Sequence, residues 1–254
     1  MEATVLLDKT EAVATITLNR PGSFNALDMP TARCLLEATI DCSADADIRA
    51  VLVTGAGRAF CAGGDVKAMG RSLEQDPSVF LKQLTVYLHA TVAEIARMPK
   101  PVIGVVNGIA AGAGFSLALA CDLLVASTEA RFVLAYTRIG LSPDGSATHT
   151  LPRLLGWRNA LELMLTNRTI DAAEALRLGV VSSVYLEAEL HKRARELALQ
   201  LAQGPVCAIA ETKRLVRQGR CDLESQMEEE RQAIARTAAT DDFRKNVRAF
   251  VENR

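Results

Sequence analysis

The groups best placed to do chemistry in this sequence are main-chain amides. VLVTGAGRAFCAGGDV (51–66) and VIGVVNGIAAGAGFSLALA (102–120) repeat one arrangement: a short buried strand, a glycine-rich loop, then the start of a helix. Such a loop leaves unpaired N–H groups pointing out of the turn, at the positive end of the helix dipole. One loop of this kind binds an anion, and two converging loops could clamp a single oxyanion as it develops in a reaction. The same glycines serve equally well for tight turns and close packing. A dinucleotide loop is less well supported. In GAGFSL the third glycine of G-x-G-x-x-G is Leu117, no acidic residue sits about 20 positions on, and a Walker A loop is absent. His89, His149 and His191 are too dispersed for a metal site, so no metal is expected. The six cysteines (Cys34, Cys42, Cys61, Cys121, Cys207, Cys221) include no C-x-x-C and read as small buried hydrophobes of a reducing, cytoplasmic compartment.

The elements that must position these loops follow from hydrophobic period and punctuation. Residues 3–7 and 12–18 are rich in β-branched types and flank DKTEA, a hairpin pattern. Asp28 caps an expected helix from about Met29 to Asp41, with Leu35, Leu36, Thr39 and Ile40 on one face. AVLVTG (50–55), PVIGVV (101–106), LLVAS (123–127) and ARFVLA (130–135) read as strands, and 77–97 as a long helix ended by Pro99 and Pro101. Alternating strands and helices imply an α/β core with parallel pairing. Beyond Pro152 the pattern becomes mainly helical. In 187–203 Leu190, Ala194, Leu197, Ala198 and Leu201 form an apolar stripe, Gly204 ends the helix and Pro205 starts the next; 222–238 and about 240–252 follow. We place a boundary near 190, giving a core of 1–190 and a helical appendage of 191–254. That appendage is too small to bury much surface alone and should dock on the core or on another subunit.

Composition sets the outer bounds. The 254 residues carry 29 Lys+Arg against 30 Asp+Glu, a net charge of −1, which lacks the basic excess of a nucleic-acid binder. The start, MEATVLLDKTEAV, does not read as a signal peptide, and the longest apolar runs fall far short of the ~20 residues that span a bilayer, so a soluble protein is expected.

At LNRPGSFNALD, RAFCAGGDVKAM, MPKPVIGVVNGIAAGAGFSLALACDLLVAS, ARFVLAYTRIGLSPDG, LPRLLG and the tail DDFRKNVRAFVENR, the sequence resembles the crotonase superfamily, the enoyl-CoA hydratase/isomerase family. The likeness covers essentially the whole chain. It implies a spiral core of ββα turns, a C-terminal helical trimerisation region, a homotrimer or dimer of trimers, and an acyl-CoA thioester substrate with no separate cofactor. By position the two oxyanion-hole amides belong to Gly64 and Ala113. The resemblance places the CoA moiety along Asn25, Ala26, Ala62 and Gly63, with Lys67 suited to a phosphate and Lys245 and Arg248 reaching a neighbour's CoA more weakly. Lys67 reads equally as an ordinary solvated lysine.

Hydratases of the family use two glutamates, and the aligned positions here are Ser116 and Tyr136. Neither serves as a carboxylate acid or base, which disfavours hydration by the paired-glutamate route. A carboxylate stands instead at Asp144 in GLSPDG; taken alone it reads as a turn residue capping the next helix. Branches that isomerise 3-enoyl-CoA or ring-epoxide phenylacetyl-CoA resemble this segment and place their single acid/base carboxylate here. An apolar surround of Phe132, Ile139 and Leu141 would strengthen Asp144 as a base. A second branch, 4-chlorobenzoyl-CoA dehalogenase, uses an Asp at this position as a nucleophile and a histidine that aligns with His89. Against that branch, Tyr136 stands where it has a tryptophan and Gly64 where it has a bulky aromatic. His89 reads otherwise as a polar position on a long helix. A third expectation is a catalytically idle acyl-CoA-binding subunit, which has no need of Asp144. RNA binding finds no support in the balanced charge. The 70–90 segment should line the pocket floor.

Overall fold

A computed structural model describes residues 3–74, 76–219 and 222–252. Cys221 and the last two residues of the tail motif lie outside them. β1 (Val5–Thr10) and β2 (Val13–Leu18) pair antiparallel through a two-residue turn at Glu11 and Ala12, both at positive φ, so the strands reach further into DKTEA than the composition suggested. α1 (Met29–Ala44) starts where the Asp28 carboxylate accepts the Thr31 N–H at 3.0 Å. Its buried face is Ala32, Leu35, Thr39 and Cys42, while Ile40, expected inside, is 48% exposed. β3 (Ala50–Gly55), β4 (Ala59–Cys61), α2 (Val66–Ser72) and α3 (Pro77–Arg97) follow, the last opened by the Asp76 cap and Pro77. Next come β5 (Val102–Val106), β6 (Ile109–Ala111), α4 (Ala113–Ala120), β7 (Leu123–Ser127) and β8 (Arg131–Val133).

β3, β5 and β7 each lead within a few residues into a short strand, β4, β6 and β8 respectively, that lies in a different sheet. The first sheet has the order β1-β2-β3-β5-β7 and ends on β10 (Ser183–Tyr185); the second runs β4-β6-β8 and ends on β9 (Ile170–Asp171). β2, β3, β5, β7 and β10 are parallel, as are β4, β6 and β8. A strand in each sheet followed by a helix is one turn of a spiral, the ββα arrangement expected from the resemblance. Asn107 locks successive corners by donating to Gly55 O at 2.9 Å and Gly57 O at 2.7 Å.

The helical half holds α5 (Ala147–Leu155), α6 (Trp157–Thr166), α7 (Ala172–Arg177), α8 (Glu187–Ala202), α9 (Val206–Gln218), α10 (Leu223–Ala238) and α11 (Asp241–Glu252). The central strands β3 and β5 of the first sheet are buried on both faces. Val51 and Val53 face the main core with Phe60, Phe115 and Phe132, whereas Ala50 and Leu52 face α8. The α8 stripe Leu190, Ala194, Ala198 and Ala202 recurs every four residues and is small enough to bring the helix close to the strands; Leu197 and Leu201 flank it half-buried. The position proposed as a boundary falls inside α8.

Candidate active site

The site begins with two loops that interlock. Loop one (62–65) joins β4 to α2, and loop two, at Gly112, joins β6 to α4. A Cβ on Gly114 would overlap the Cys61 carbonyl oxygen, and one on Gly63 would lie 2.7 Å from Ala111 O and 3.2 Å from Ala113 N. Only glycine permits this approach, and Gly63 also sits at φ +92°, a region L side chains rarely adopt. The packing and anion-hole readings of these glycines therefore describe one geometry: close loop contact is what brings two amides together.

Hydrogen bonding aims those amides. Leu27 N–H donates to Gly63 O at 2.7 Å and Asp65 N–H to Leu27 O at 2.9 Å, a parallel bridge that turns the intervening Gly64 N–H the opposite way. Ala113 is the first residue of α4, where N–H groups lack intrahelical partners. Among the described residues neither amide donates to a protein acceptor. Both line one cavity of about 320 Å³, walled by Met69 and, from α3, Leu81, Leu84 and Leu88. A larger groove, about 890 Å³, lies between the start of β7 and α9 and holds none of the expected site residues.

Asp144 lines the small cavity with Gly64 and Ala113, and among the described lining residues it is the one carboxylate. It does not cap the next helix through its side chain; only its backbone carbonyl accepts, from Ala147 N–H. Its Oδ1 accepts the Tyr136 hydroxyl proton at 2.6 Å, and Ser116 Oγ lies 2.9 Å from the same tyrosine oxygen. Burial, reinforced by the Asp144 charge and hydrogen bond, pushes the Tyr136 phenol up, so it stays protonated and donating. Asp144 Oδ2 stands 3.3 Å from His89 Nε2, and that nitrogen is also 3.3 Å from Gly145 N–H. One lone pair cannot accept from Gly145 while the same nitrogen donates to Asp144. With the proton on Nδ1 the Gly145 bond forms and Oδ2 is left without a donor from His89.

The expected residues divide by place. Ala62, Gly63, Gly64, Ala113, Tyr136 and Asp144 line the cavity, with Ile139 and Leu141. Phe132, expected beside Asp144, is buried instead against Phe115 with ring centroids 5.2 Å apart. His89 is 54% exposed on α3 but touches Asp144 rather than standing apart. Asn25, expected along the CoA, is fully buried with its side chain committed to the protein: it accepts Arg20 N–H at 2.9 Å and donates to Ala56 O and Ala59 O at 3.0 and 2.7 Å. A side chain so occupied shapes the loop. Ala26 is buried too; Lys67, Lys245 and Arg248 are exposed. Sequence reasoning missed Arg20, whose guanidinium bridges the two cap carboxylates Asp28 (3.1 Å) and Asp65 (2.9 Å) and donates to Ala26 O, tying loop one to residues 20–28. Its partners lie 8 and 45 positions away, and no local pattern links them. Met69 was missed as well.

The described cysteines are free thiols, and burial pushes Cys61 and Cys121 up to about 12. Among the described residues no group of His, Cys, Asp or Glu is placed to hold a metal ion, and no helix is long and apolar enough to cross a membrane.

Two backbone donors facing an apolar chamber with a carboxylate in it suit an enzyme that stabilises an enolate-type oxyanion. The family comparison agrees: residues 8–254 match the enoyl-CoA hydratase/isomerase model, and the chain belongs to that family. It is 36% identical over 249 residues to 4-chlorobenzoyl coenzyme A dehalogenase-2 of an Arthrobacter species, covering 97% of this chain and 90% of that protein. It is 34% identical to the 1,2-epoxyphenylacetyl-CoA isomerase of Escherichia coli K12, covering 98% and 96%. An enoyl-CoA hydratase from Bacillus anthracis superposes with a TM-score of 0.93 at 32% identity, covering 99% and 97%.

Proposed function

We propose that this acyl-CoA enzyme moves a double bond within an enoyl-CoA, with Asp144 as the single acid/base group. Asp144 Oδ2 takes a proton from the α-carbon of a 3-enoyl thioester. The C–H electron pair flows into the thioester and leaves negative charge on its oxygen, which the Gly64 and Ala113 amides hold. The same carboxyl returns the proton to the γ-carbon, and the double bond ends between Cα and Cβ. No water or redox partner enters the balance. The observation that carries the reading is that Asp144 is the one described carboxylate on the cavity, while Ser116 and Tyr136 fill the two positions where hydratases place glutamates. The CoA would leave past the backbone of Ala62 and Gly63, with Lys67 near its phosphates. The apolar side chains exposed on α10 and α11, among them Ile234 and Val247, fit a trimer or dimer of trimers in the cytoplasm, built through 191–254.

The test is turnover of 3-enoyl-CoA, 2-enoyl-CoA and 4-chlorobenzoyl-CoA by the native protein and Asp144→Asn. Migration of the 3-enoyl double bond by the native protein, and its loss in the variant, is the expected result; unchanged migration in the variant removes the assignment. A second reading is favoured by the 3.3 Å approach of His89 to Asp144 and by the likeness to the dehalogenase. In it Asp144 attacks an aryl ring and His89 activates water. Against it, the Met69 methyl occupies the space a side chain at 64 would need. Halide release, with an Asp-linked intermediate seen by mass spectrometry, would put this reading first.

A further inference from the structure

α4 (AGFSLALA) is buried on every side, and Ser116 is its one polar side chain, with no exposed surface. A hydroxyl in such a place must be hydrogen-bonded. The usual partner in a helix is the carbonyl four residues back, and here Gly112 O is 3.4 Å away, a long contact. The better partner is Tyr136 Oη at 2.9 Å. Tyr136 gives its own proton to Asp144 Oδ1 at 2.6 Å, so Ser116 must be the donor to the phenol oxygen. The chain then has one direction, Ser116 to Tyr136 to Asp144. A Cβ on Gly145, at φ +58°, would lie 2.9 Å from Ser116 Cβ, so glycine lets the turn after Asp144 pass close to α4. Ser116 itself does not line the cavity.

We propose that Ser116 is a positioning residue that acts on Asp144 through Tyr136, reserving Oδ1 for the phenol and leaving Oδ2 as the oxygen that meets substrate. The two positions that carry glutamates in hydratases thereby serve one aspartate at a third position. A donor to a polarised phenol strengthens the next bond in the chain, and a carboxylate held at one oxygen has fewer orientations to lose on reaching the transition state. This inference rests on the reading of Asp144 as the acting base.

The test combines kinetics with a resonance that does not depend on turnover. In protein labelled with ¹³C at the tyrosine ζ-carbon, Tyr136→Phe identifies one signal among the three tyrosines. That signal should move in Ser116→Ala and in Asp144→Asn. For migration of a 3-enoyl double bond, Ser116→Ala should lower kcat roughly 3- to 10-fold and Tyr136→Phe roughly 10- to 100-fold, the ranges of one neutral and one charge-assisted hydrogen bond. KM should change by less than about twofold in each, and Ser116→Ala/Tyr136→Phe should equal Tyr136→Phe alone, because the hydrogen-bonded route from Ser116 to Asp144 runs through the phenol. Ser116→Cys, which restores a weak donor, should recover part of the loss. A Tyr136 signal unmoved by Ser116→Ala, or losses that multiply in the double variant, overturns the proposal. If the native protein moves no double bond, the base reading falls, and the resonance alone decides the relay.

Discussion

Replacing Gly63 with alanine separates the anion hole from the fold that carries it. The methyl would lie 3.2 Å from Ala113 N and 2.7 Å from Ala111 O, crowding the Ala113 amide. At φ +92° an L residue is strained by about 1–2 kcal/mol, a stability cost with no bearing on catalysis. Blocking one of two donors should remove about 3–4 kcal/mol of transition-state stabilisation, or roughly 10²–10³ in kcat. Gly179→Ala is the control: Gly179 has φ +74° with nothing within 4 Å of its Cβ position. Gly179→Ala should melt a few degrees lower, about 2–8 °C for a chain of this size, and Gly63→Ala lower still, because its methyl also meets the Ala111 carbonyl oxygen. Only Gly63→Ala should lose turnover, with acyl-CoA binding measured by calorimetry retained within about tenfold. A folded Gly63→Ala enzyme with kcat within threefold of Gly179→Ala would refute the assignment of the Ala113 amide.

Three further outcomes follow from side-chain placement. Met69→Ala removes the methyl that covers Gly64, so benzoyl-CoA or an α-branched saturated acyl-CoA should bind several-fold tighter relative to hexanoyl-CoA; an unchanged ratio by calorimetry counts against Met69 as the wall. Asn25→Ala leaves Ala56 O and Arg20 N–H without the buried partner and should cost about 2–4 kcal/mol in denaturant unfolding, with KM for acyl-CoA nearly unchanged. A raised KM at full stability would return Asn25 to the ligand. Tyr136 holds its proton more tightly folded than unfolded, because of burial first and then Asp144. The unfolded chain therefore releases that proton first as pH rises past about 10, and native stability falls. Urea melts from pH 9 to 11 should show a steeper fall for the native protein than for Tyr136→Phe; parallel slopes would place the phenol in an ordinary environment.

The parts of this molecule written locally were legible in sequence. α3 begins at Asp76–Pro77 and ends before Pro99 because caps and prolines act within a turn, and the Asp28 cap is equally local. β9 and β10 were not legible: two or three residues become a strand only through a partner far along the chain. The α1 face was misread at Ile40 because a run of apolar residues does not say which of them meets α3. At the site, the glycine pattern predicted outward amides, but the close contact of Gly63 with Ala113 and of Gly114 with Cys61 joins loops about 50 residues apart. In sequence Ser116 stands out as a missing carboxylate, and Tyr136 as both a missing carboxylate and a replaced tryptophan; neither reading links the two. Their bond spans 20 positions and has no period, so the positive role of each emerged from coordinates alone.

The most direct test of the central claim is the fate of deuterium placed at C2 of a 3-enoyl-CoA. If one carboxyl oxygen both removes and returns the proton opposite the two amides, native protein should deliver a measurable share of the label to C4, and Asp144→Asn should stop both transfer and migration. Migration that persists in Asp144→Asn, with all label lost to solvent in both proteins, would contradict the account.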